Sequence, residues 1–282
     1  DPIGILYSFE SDLISRIENS GRSMHNFDLL QEPGHLYAFK RSLHGIYTLL
    51  REMKYAPQLV DSRRLKDTLP QLKVLYIPQG YILPDDAVNS ILDFVNQGGR
   101  VIAEEGIGLR KTNTWLHYPW PETRLRQIFG VKTAERVASS IRGDEMKIYG
   151  QNIAGAEYCS YLEDIKGEII GQWSDGRPAA VCCGNCCFLG TAFGASFHDD
   201  YLNKTKYIEV MRRILETVGL APQYSGLPDL VYARALESDG ERMVFVFNRS
   251  PETKKVVVNG RELVIDPCDM KWIKVESSVC FD

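Results

Sequence analysis

Two short apolar runs on either side of one amphipathic segment constrain the fold of this chain more than any other feature. Residues 74–77 are apolar and end at a Pro-Gln-Gly turn, and residues 100–103 are followed by Glu104 and Glu105. Residues 84–95 begin with proline and two acids and carry apolar side chains at helical spacing. Strands that alternate with helices in this way predict a doubly wound, mainly parallel α/β sheet.

Other segments extend this pattern in both directions. Residues 3–8 predict a first strand and residues 57–61 a second, short one, while residues 36–54 and 201–219 carry helical apolar stripes. The polar stretch 10–34 has no such pattern. We therefore expect a doubly wound α/β domain of the flavodoxin-like type.

The pattern changes after Pro228. Four short strand patterns separated by turn signals fill the rest of the chain. They predict a small antiparallel β-domain, so that we divide the chain into an α/β domain, residues 1–225, and a β-domain, residues 226–282. So few strands bury little apolar surface, and we expect the β-domain to pack against a neighbour.

Composition excludes several classes of function. The 282 residues carry a net charge of −4, which gives no electrostatic footprint for nucleic acid. No apolar run approaches 18 residues, so a membrane span is not expected. The chain begins in a strand pattern without Met or a signal peptide, which suggests a piece of a longer protein or a removed leader. We predict a cytoplasmic protein, with periplasmic export or secretion left open.

Seven cysteines are present, and four of them occupy residues 182, 183, 186 and 187 around a Gly-Asn turn. The turn lies between two apolar runs and predicts a β-hairpin over residues 179–189. Cys183 and Cys186 have the spacing of a zinc knuckle, but a structural zinc site needs four ligands and no second pair is evident. We favour reduced cysteines that pack as small hydrophobic side chains, and we predict no metal and no cofactor.

Three polar residues follow predicted strands at the edge where α/β folds bind ligands: Gln79, Glu104 and Glu105. Adjacent carboxylates rarely face each other across a sugar as a glycosidase requires, so we favour a solvated or inter-subunit role for the pair. The turn after residue 103 contains neither Cys nor Ser, which an amidotransferase or α/β-hydrolase nucleophile would need. The sequence therefore predicts no catalytic residue.

An aromatic loop occupies part of the segment 109–130 and contains Trp115, His117, Tyr118 and Trp120. Aromatic side chains of this kind line sugar sites and anchor subunit contacts. A loop folded back on its own domain is an equally good interpretation. Trp115, His117 and Trp120 join Gln79, Glu104 and Glu105 as candidates for a ligand or subunit contact.

Several of these segments, in this order, resemble glycoside hydrolase family 42 β-galactosidases. The runs 74–87 and 91–103 are similar to the trimerisation domain of that family, as are residues 125–131 and the hairpin that ends in Phe-Leu-Gly-Thr. The run 244–248, Val-Phe-Val-Phe-Asn, is similar to the C-terminal domain. The Cys-Cys-Gly-Asn-Cys-Cys turn departs from the family, which usually has a basic or polar turn there.

The resemblance implies a class I glutamine amidotransferase-like fold without amidotransferase chemistry. It implies that the catalytic glutamates lie in a (β/α)8 barrel that precedes residue 1, and such a barrel needs about 200 residues or more. The expected partners are copies of the same chain, for example in a trimer, and that missing N-terminal barrel, with carbohydrate bound by the parent enzyme. A stand-alone amidotransferase-like protein with a small-molecule pocket near Gln79, Glu104 and Trp115 is the alternative.

Overall fold

The computed structural model describes residues 2–20, 37–217, 219–222, 224–238, 241–275 and 281. The chain divides into two compact units, which we describe separately. The larger, the α/β unit, comprises Pro2–Leu49 and Pro57–Gly219. The smaller, the β unit, comprises Asp1, Leu50–Ala56 and Leu220–Asp282.

The α/β unit contains the first eleven strands and the helices of the described chain. The strands are β1 (Ile3–Tyr7), β2 (Gln58–Asp61), β3 (Val74–Ile77), β4 (Arg100–Glu104), β5 (Lys132–Ala138), β6 (Glu145–Ile148), β7 (Gln151–Ala154), β8 (Tyr158–Glu163), β9 (Glu168–Trp173), β10 (Pro178–Cys183) and β11 (Cys186–Leu189). The helices are α1 (Phe9–Ser20), α2 (Ala38–Glu52), α3 (Leu65–Thr68), α4 (Asp85–Asn96), α5 (Thr123–Phe129), α6 (Ser139–Arg142), α7 (Phe193–Asp199) and α8 (Lys204–Glu216). The last residues of α2 belong to the β unit.

The α/β fold predicted from the alternating pattern is confirmed. Among the described residues, nine strands form one sheet in the order β2-β1-β3-β4-β11-β10-β9-β6-β7. The half from β2 to β11 is parallel, and β10, β9, β6 and β7 continue it antiparallel. The parallel strands β3 and β4 are buried on both faces, which explains why they read as continuous apolar runs.

The helix predicted to follow β3 forms as α4. Asp85 and Asp86 lie in its first turn, where acids interact favourably with the helix dipole, and Val88, Ile91 and Phe94 point into the core. That core also contains Leu125, Phe129 and Phe188. The apolar residues at helical spacing in the segment 84–95 are therefore the side chains that α4 buries against the sheet.

One helix was missed at the sequence level. Helix α1 covers Phe9–Ser20, and all but its first residue lie in the stretch 10–34, for which the sequence predicts no helix. The signal is weak because Phe9, Leu13 and Ile17 are spaced as on one helix face but are exposed, at 48%, 47% and 56%. The remainder of that stretch, residues 21–34, lies outside the described residues.

Helices α2 and α7 cross at two glycines. A Cβ atom on Gly45 would lie 1.9 Å from the carbonyl oxygen of Gly194, and a Cβ on Gly194 would lie 2.3 Å from the carbonyl oxygen of Ser42. Both neighbours are backbone atoms, which cannot move aside as a flexible side chain can. The absence of side chains at these positions therefore permits the close approach of the two helices.

We expect the substitution Gly45→Ala to destabilise the α/β unit by about 1 to 3 kcal/mol, because overpacking outweighs the gain in helix propensity. Thr205→Ala, at an exposed position of α8, is the matched helix control and should change the free energy of unfolding by less than about 0.5 kcal/mol. Urea unfolding followed by circular dichroism measures both variants. Equal stability of Gly45→Ala and the wild type would contradict the close crossing.

The β unit contains β12 (Val231–Ser238), β13 (Glu241–Asn248), β14 (Lys254–Val258), β15 (Arg261–Ile265) and β16 (Met270–Val275). The sheet β12-β13-β16 and the hairpin β14-β15 are antiparallel, as the sequence predicts for this region. Val244, Val246, Val258 and Ile265 are fully buried in the core of this unit. Residues 239 and 240 of the predicted first turn lie outside the described residues.

No helix in the described ranges combines the length and the apolar character needed to cross a membrane.

Candidate functional site

The carboxyl ends of β3 and β4 bring Gln79, Glu104 and Glu105 together. All three side chains are 0% exposed. The interpretation of the two glutamates as a solvated pair is therefore wrong. It fails because the sequence shows that they follow a strand but does not show that segments distant in the chain, from α2, α7 and β5, cover the strand end.

Glu104 connects three other elements through its carboxylate. The hydroxyl of Ser42 on α2 donates to Oε2, and the hydroxyl of Tyr76 on β3 donates to Oε1 at 2.8 Å. The backbone N–H of Gly194, in the first turn of α7, donates to Oε1 at 2.7 Å. Because every donor comes from a different element, Glu104 fixes the positions of α2 and α7 at the end of the sheet.

Burial raises the pKa of Glu104 to about 7, although the hydrogen bonds from Ser42, Gly194 and Tyr76 act in the opposite direction. The negative charge of Glu105 adds to the upward shift of this pKa. A buried carboxyl that holds its proton up to neutral pH is compatible with a structural role, since the neutral form costs less to bury.

Glu105 is paired with Arg136 from β5. The Nε of Arg136 donates to Glu105 at 2.8 Å, and Gln79 and Tyr81 donate to the same carboxylate at 3.3 and 3.4 Å. The guanidinium lies 3.4 Å from the ring centroid of Tyr158 on β8, and the Arg136 side chain is only 13% exposed. The charge of Glu105 at the end of β4 is therefore neutralised by a residue of the same chain, and Arg136 covers this strand end.

Gln79 adopts a backbone conformation that few residues other than glycine favour, with φ of 38°. Its amide nitrogen donates to Glu105, whereas its buried Oε1 has no hydrogen-bond partner among the described groups. The cluster thus holds two glutamates, one arginine and one amide, with no Cys or Ser nucleophile in the turn after β4. Acid–base work on a substrate would need access, which the burial of all three strand-end side chains denies.

The aromatic loop is anchored to the sheet end but keeps part of its surface exposed. Arg110 N donates to the carbonyl of Tyr81 at 2.8 Å, and His117 N donates to that of Leu109 at 2.9 Å. Trp120 packs against the buried cluster of Tyr81, Ile82 and Leu109. The peptide bonds that precede Pro119 and Pro121 are cis.

Trp115 and Tyr118 point away from this anchor and are 74% and 87% exposed. His117 is half-buried, and burial lowers its pKa. The three aromatic candidates are thus separated: Trp120 serves the fold, while Trp115 and His117 lie toward the surface. The structure does not bring them together with Gln79, Glu104 and Glu105 into one open pocket.

The cysteine hairpin forms as predicted, but its thiols are not all reduced. Cys182 on β10 lies opposite Cys187 on β11, and the two are joined by a disulfide. Cys183 and Cys186, the next pair in the register, are free. The expectation of reduced cysteines is therefore wrong for one pair, because the direct cross-strand register brings those sulfurs within bonding distance.

Within the part of the chain that the structure describes, no three His, Cys, Asp or Glu side chains are grouped so as to hold a metal ion. The functional residues that sequence reasoning missed are Ser42, Arg136 and Gly194. Each is distant in sequence from the strand end that it contacts, and no local pattern marks it.

Comparison with known proteins places this arrangement in a family. Residues 3–216 match the family described as the β-galactosidase trimerisation domain. β-galactosidase BgaA from Clostridium cellulovorans is 23% identical over 265 residues, which cover 89% of this chain and 36% of that protein. The chain therefore spans little more than a third of this relative's length.

Solved structures share the fold. A β-galactosidase from Bacillus circulans sp. alkalophilus matches with a TM-score of 0.74 and 15% identity, over 97% of this chain and 41% of its own. A catalytic mutant of Gan42B, a GH42 β-galactosidase from G. stearothermophilus, matches with a TM-score of 0.72 and 16% identity, over 97% and 40% of the two chains. Both units of the present chain are thus represented within longer proteins of known structure.

Proposed function

Because this chain belongs to the family of β-galactosidase trimerisation domains, we propose that it is the non-catalytic, oligomer-forming portion of a β-galactosidase-like glycoside hydrolase. The observation that carries the proposal is the match over residues 3–216, which covers most of the α/β unit. The buried strand end supports it, since Glu104 and Glu105 are held by partners from the same chain.

The parent enzyme is proposed to act on glycosidic bonds in carbohydrates through a (β/α)8 barrel outside this chain. The chain covers 36% to 41% of the relatives named above, and the resemblance implies that the catalytic glutamates lie in the remainder. A barrel of about 200 residues or more fits into that remainder. The two domains expected from the sequence, residues 1–225 and 226–282, are proposed as its accessory domains.

The exposed end of the aromatic loop is proposed as a contact with the parent barrel or with another copy. Trp115 is exposed and His117 is half-buried, and both are close in sequence to Trp120, which is anchored in a buried cluster. A partner would therefore contact aromatic side chains whose loop is held in place. Interface energy concentrates in such aromatic side chains. We propose that the strand-end residues Gln79, Glu104 and Glu105 hold the base of this loop in place. Tyr81 provides the connection, because it donates to Glu105 and belongs to the cluster against which Trp120 packs.

We expect the purified 282-residue chain to release no nitrophenol from nitrophenyl β-galactoside, because Glu104 and Glu105 are buried and the proposed catalytic glutamates lie in a barrel outside this chain. Release is followed by absorbance, and the double variant Glu104→Gln with Glu105→Gln serves as the matched control for contaminating host enzyme. A rate that the wild type shows and this folded variant lacks would contradict the proposal. Equal background rates in both preparations are the expected result.

A further inference from the structure

Helix α1 carries an exposed apolar ridge. Phe9, Leu13 and Ile17 follow one another at intervals of four residues and are 48%, 47% and 56% exposed. At about 100° per residue, the three side chains fall within about 80° of the helix circumference. The guanidinium of Arg63 in the same chain lies 5.7 Å from the ring centroid of Phe9, but the three side chains remain about half exposed. An exposed apolar stripe of this kind is a candidate contact for a partner. We call these three residues the α1 ridge.

The α1 ridge is flanked by opposite charges. The same helical geometry places Glu10 on one side of the ridge and Arg16 on the other. Arg16 is 46% exposed, although it also lies 3.6 Å from Asp12 and donates to the hydroxyl of Tyr37. A partner that receives the ridge therefore meets an acidic flank and a basic flank.

A groove of about 760 Å³ lies between the segment 62–70 and helix α4. Its apolar lining includes Leu65, Leu69 and Phe94, which are buried residues of the α/β core. Helix α4 has 12 residues and is about 18 Å long, whereas the α1 ridge spans about 12 Å. The groove, which we call the α3–α4 groove, is long enough for the ridge.

The walls of the α3–α4 groove carry opposite charges. Arg63, Arg64 and Lys66 line one wall, where they outnumber the single acid Asp67, and Asp86 and Asp93 on α4 line the other. Arg64, Lys66 and the two aspartates on α4 are exposed, and no ion pair within 4.0 Å engages any of these four among the described side chains. A basic wall and an acidic wall across an apolar floor match the acidic and basic flanks of the α1 ridge.

We propose that the α1 ridge of one copy packs into the α3–α4 groove of a second copy, with Glu10 against the basic wall and Arg16 against the acidic wall. The proposal rests on the proposed oligomer-forming function and specifies the surfaces that carry it. Charge complementarity sets the direction of the inserted helix, and the three apolar side chains supply the buried contact.

The symmetry of a trimer agrees with two different surfaces. A two-fold contact uses the same patch on both copies, whereas a three-fold ring needs a head-to-tail contact between unlike surfaces. The α1 ridge and the α3–α4 groove differ in shape, although they adjoin in one chain where Phe9 meets Arg63. Both lie within the residues that match the trimerisation family. One such contact, repeated three times, closes a ring.

Sedimentation equilibrium of the full 282-residue chain tests the contact. We expect Leu13→Lys to raise the dissociation constant of the oligomer by roughly 30-fold or more, as for a central anchor residue. Leu202→Lys, at a position that is 96% exposed outside both surfaces, is the control and should leave the dissociation constant unchanged. Circular dichroism establishes that both variants are folded.

Charge reversal tests the pairing of the flanks. Glu10→Lys alone and Lys66→Glu alone are each expected to weaken self-association by roughly 5-fold, and the double variant is expected to recover most of that loss. Recovery requires the two residues to face each other across the interface. If the loss of self-association free energy in the double variant equals the sum of the losses in the two single variants, the assigned orientation is overturned.

The outcomes separate this contact from the proposed function. A wild-type chain that self-associates but is insensitive to Leu13→Lys and to both charge reversals keeps the proposed function and overturns the ridge-and-groove contact. A wild-type chain that stays monomeric at every concentration overturns self-association itself. Equal weakening by Leu13→Lys and Leu202→Lys also overturns the contact, since it would reflect surface charge alone.

Discussion

Replacing Arg136 with Met is expected to lower the free energy of unfolding by about 3 to 5 kcal/mol, because it leaves the carboxylate of Glu105 buried without its cation. Glu105 is 0% exposed, and the remaining donors, Gln79 and Tyr81, are neutral. Met keeps most of the volume of the arginine side chain over Tyr158. The expected loss of stability therefore comes mainly from the lost charge and not from lost packing. Urea unfolding monitored by circular dichroism at pH 7 measures the change.

Arg177→Met is the matched control. Arg177 lies 3.4 Å from the ring centroid of Tyr161, as Arg136 does from that of Tyr158, but its ion pairs with Glu135 and Asp175 are exposed. The loss there should be about 1 kcal/mol. Adding Glu105→Gln to Arg136→Met should restore much of the stability. Similar losses for Arg136→Met and Arg177→Met would argue against a buried, closed strand end.

Stability of the wild type is expected to fall between pH 5 and pH 8 through Glu104. Its folded pKa, raised by burial to about 7, lies above the usual value of 4.5. The folded state therefore holds the proton more tightly, so that this contribution is complete below about pH 4.5 and is lost as the pH rises through 7. At about 1.4 kcal/mol per pKa unit, the full loss is about 3 kcal/mol.

Glu104→Gln isolates this effect, because a glutamine accepts from Tyr76 and Gly194 as the neutral carboxyl does and its amide can donate to Ser42. The variant should match the wild type near pH 5 and exceed its stability near pH 8. Unfolding free energies of both proteins at each pH provide the difference, which cancels the titration of other groups. A difference that does not change with pH would show that Glu104 holds no proton in the folded state.

The central sheet could be predicted because each of its strands and helices is indicated by the residues of its own segment. Residues 74–77 and 101–103 are buried on both faces, so that apolar side chains fill each run, and α4 shows its buried stripe between them. The hairpin around residues 184 and 185 is equally local, since a two-residue turn with glycine joins β10 directly to β11. Such elements can be predicted from the spacing of apolar residues and from the residue types in the turns.

The chemistry of the strand end was not predictable in the same way. Placing Glu104 after a strand is a local inference, but its burial depends on Ser42 and Gly194, which are 62 and 90 residues away. The same holds for Arg136, which the chain brings to Glu105 through the separate β5-β8 pair. Helix α1 escaped notice because its apolar face is exposed, and an exposed stripe among polar residues resembles a loop.

A consistent division of roles follows from these contacts. The edge of the sheet at which related folds bind ligands is used here to tie α2, α7 and β5 to the core, through Glu104 and Glu105. The surfaces proposed for partners are the aromatic loop, the α1 ridge and the α3–α4 groove. We therefore interpret the chain as an assembly module whose stability depends on buried carboxyl groups at the carboxyl edge of its parallel strands.

The mass of the chain in solution tests the oligomer-forming role most directly. Sedimentation equilibrium of the 32.0 kDa chain over a wide concentration range is expected to give a species of three times that mass. The ridge-and-groove contact predicts that Leu13→Lys shifts this species toward the monomer. A wild-type chain that sediments at 32.0 kDa at every concentration would contradict the account.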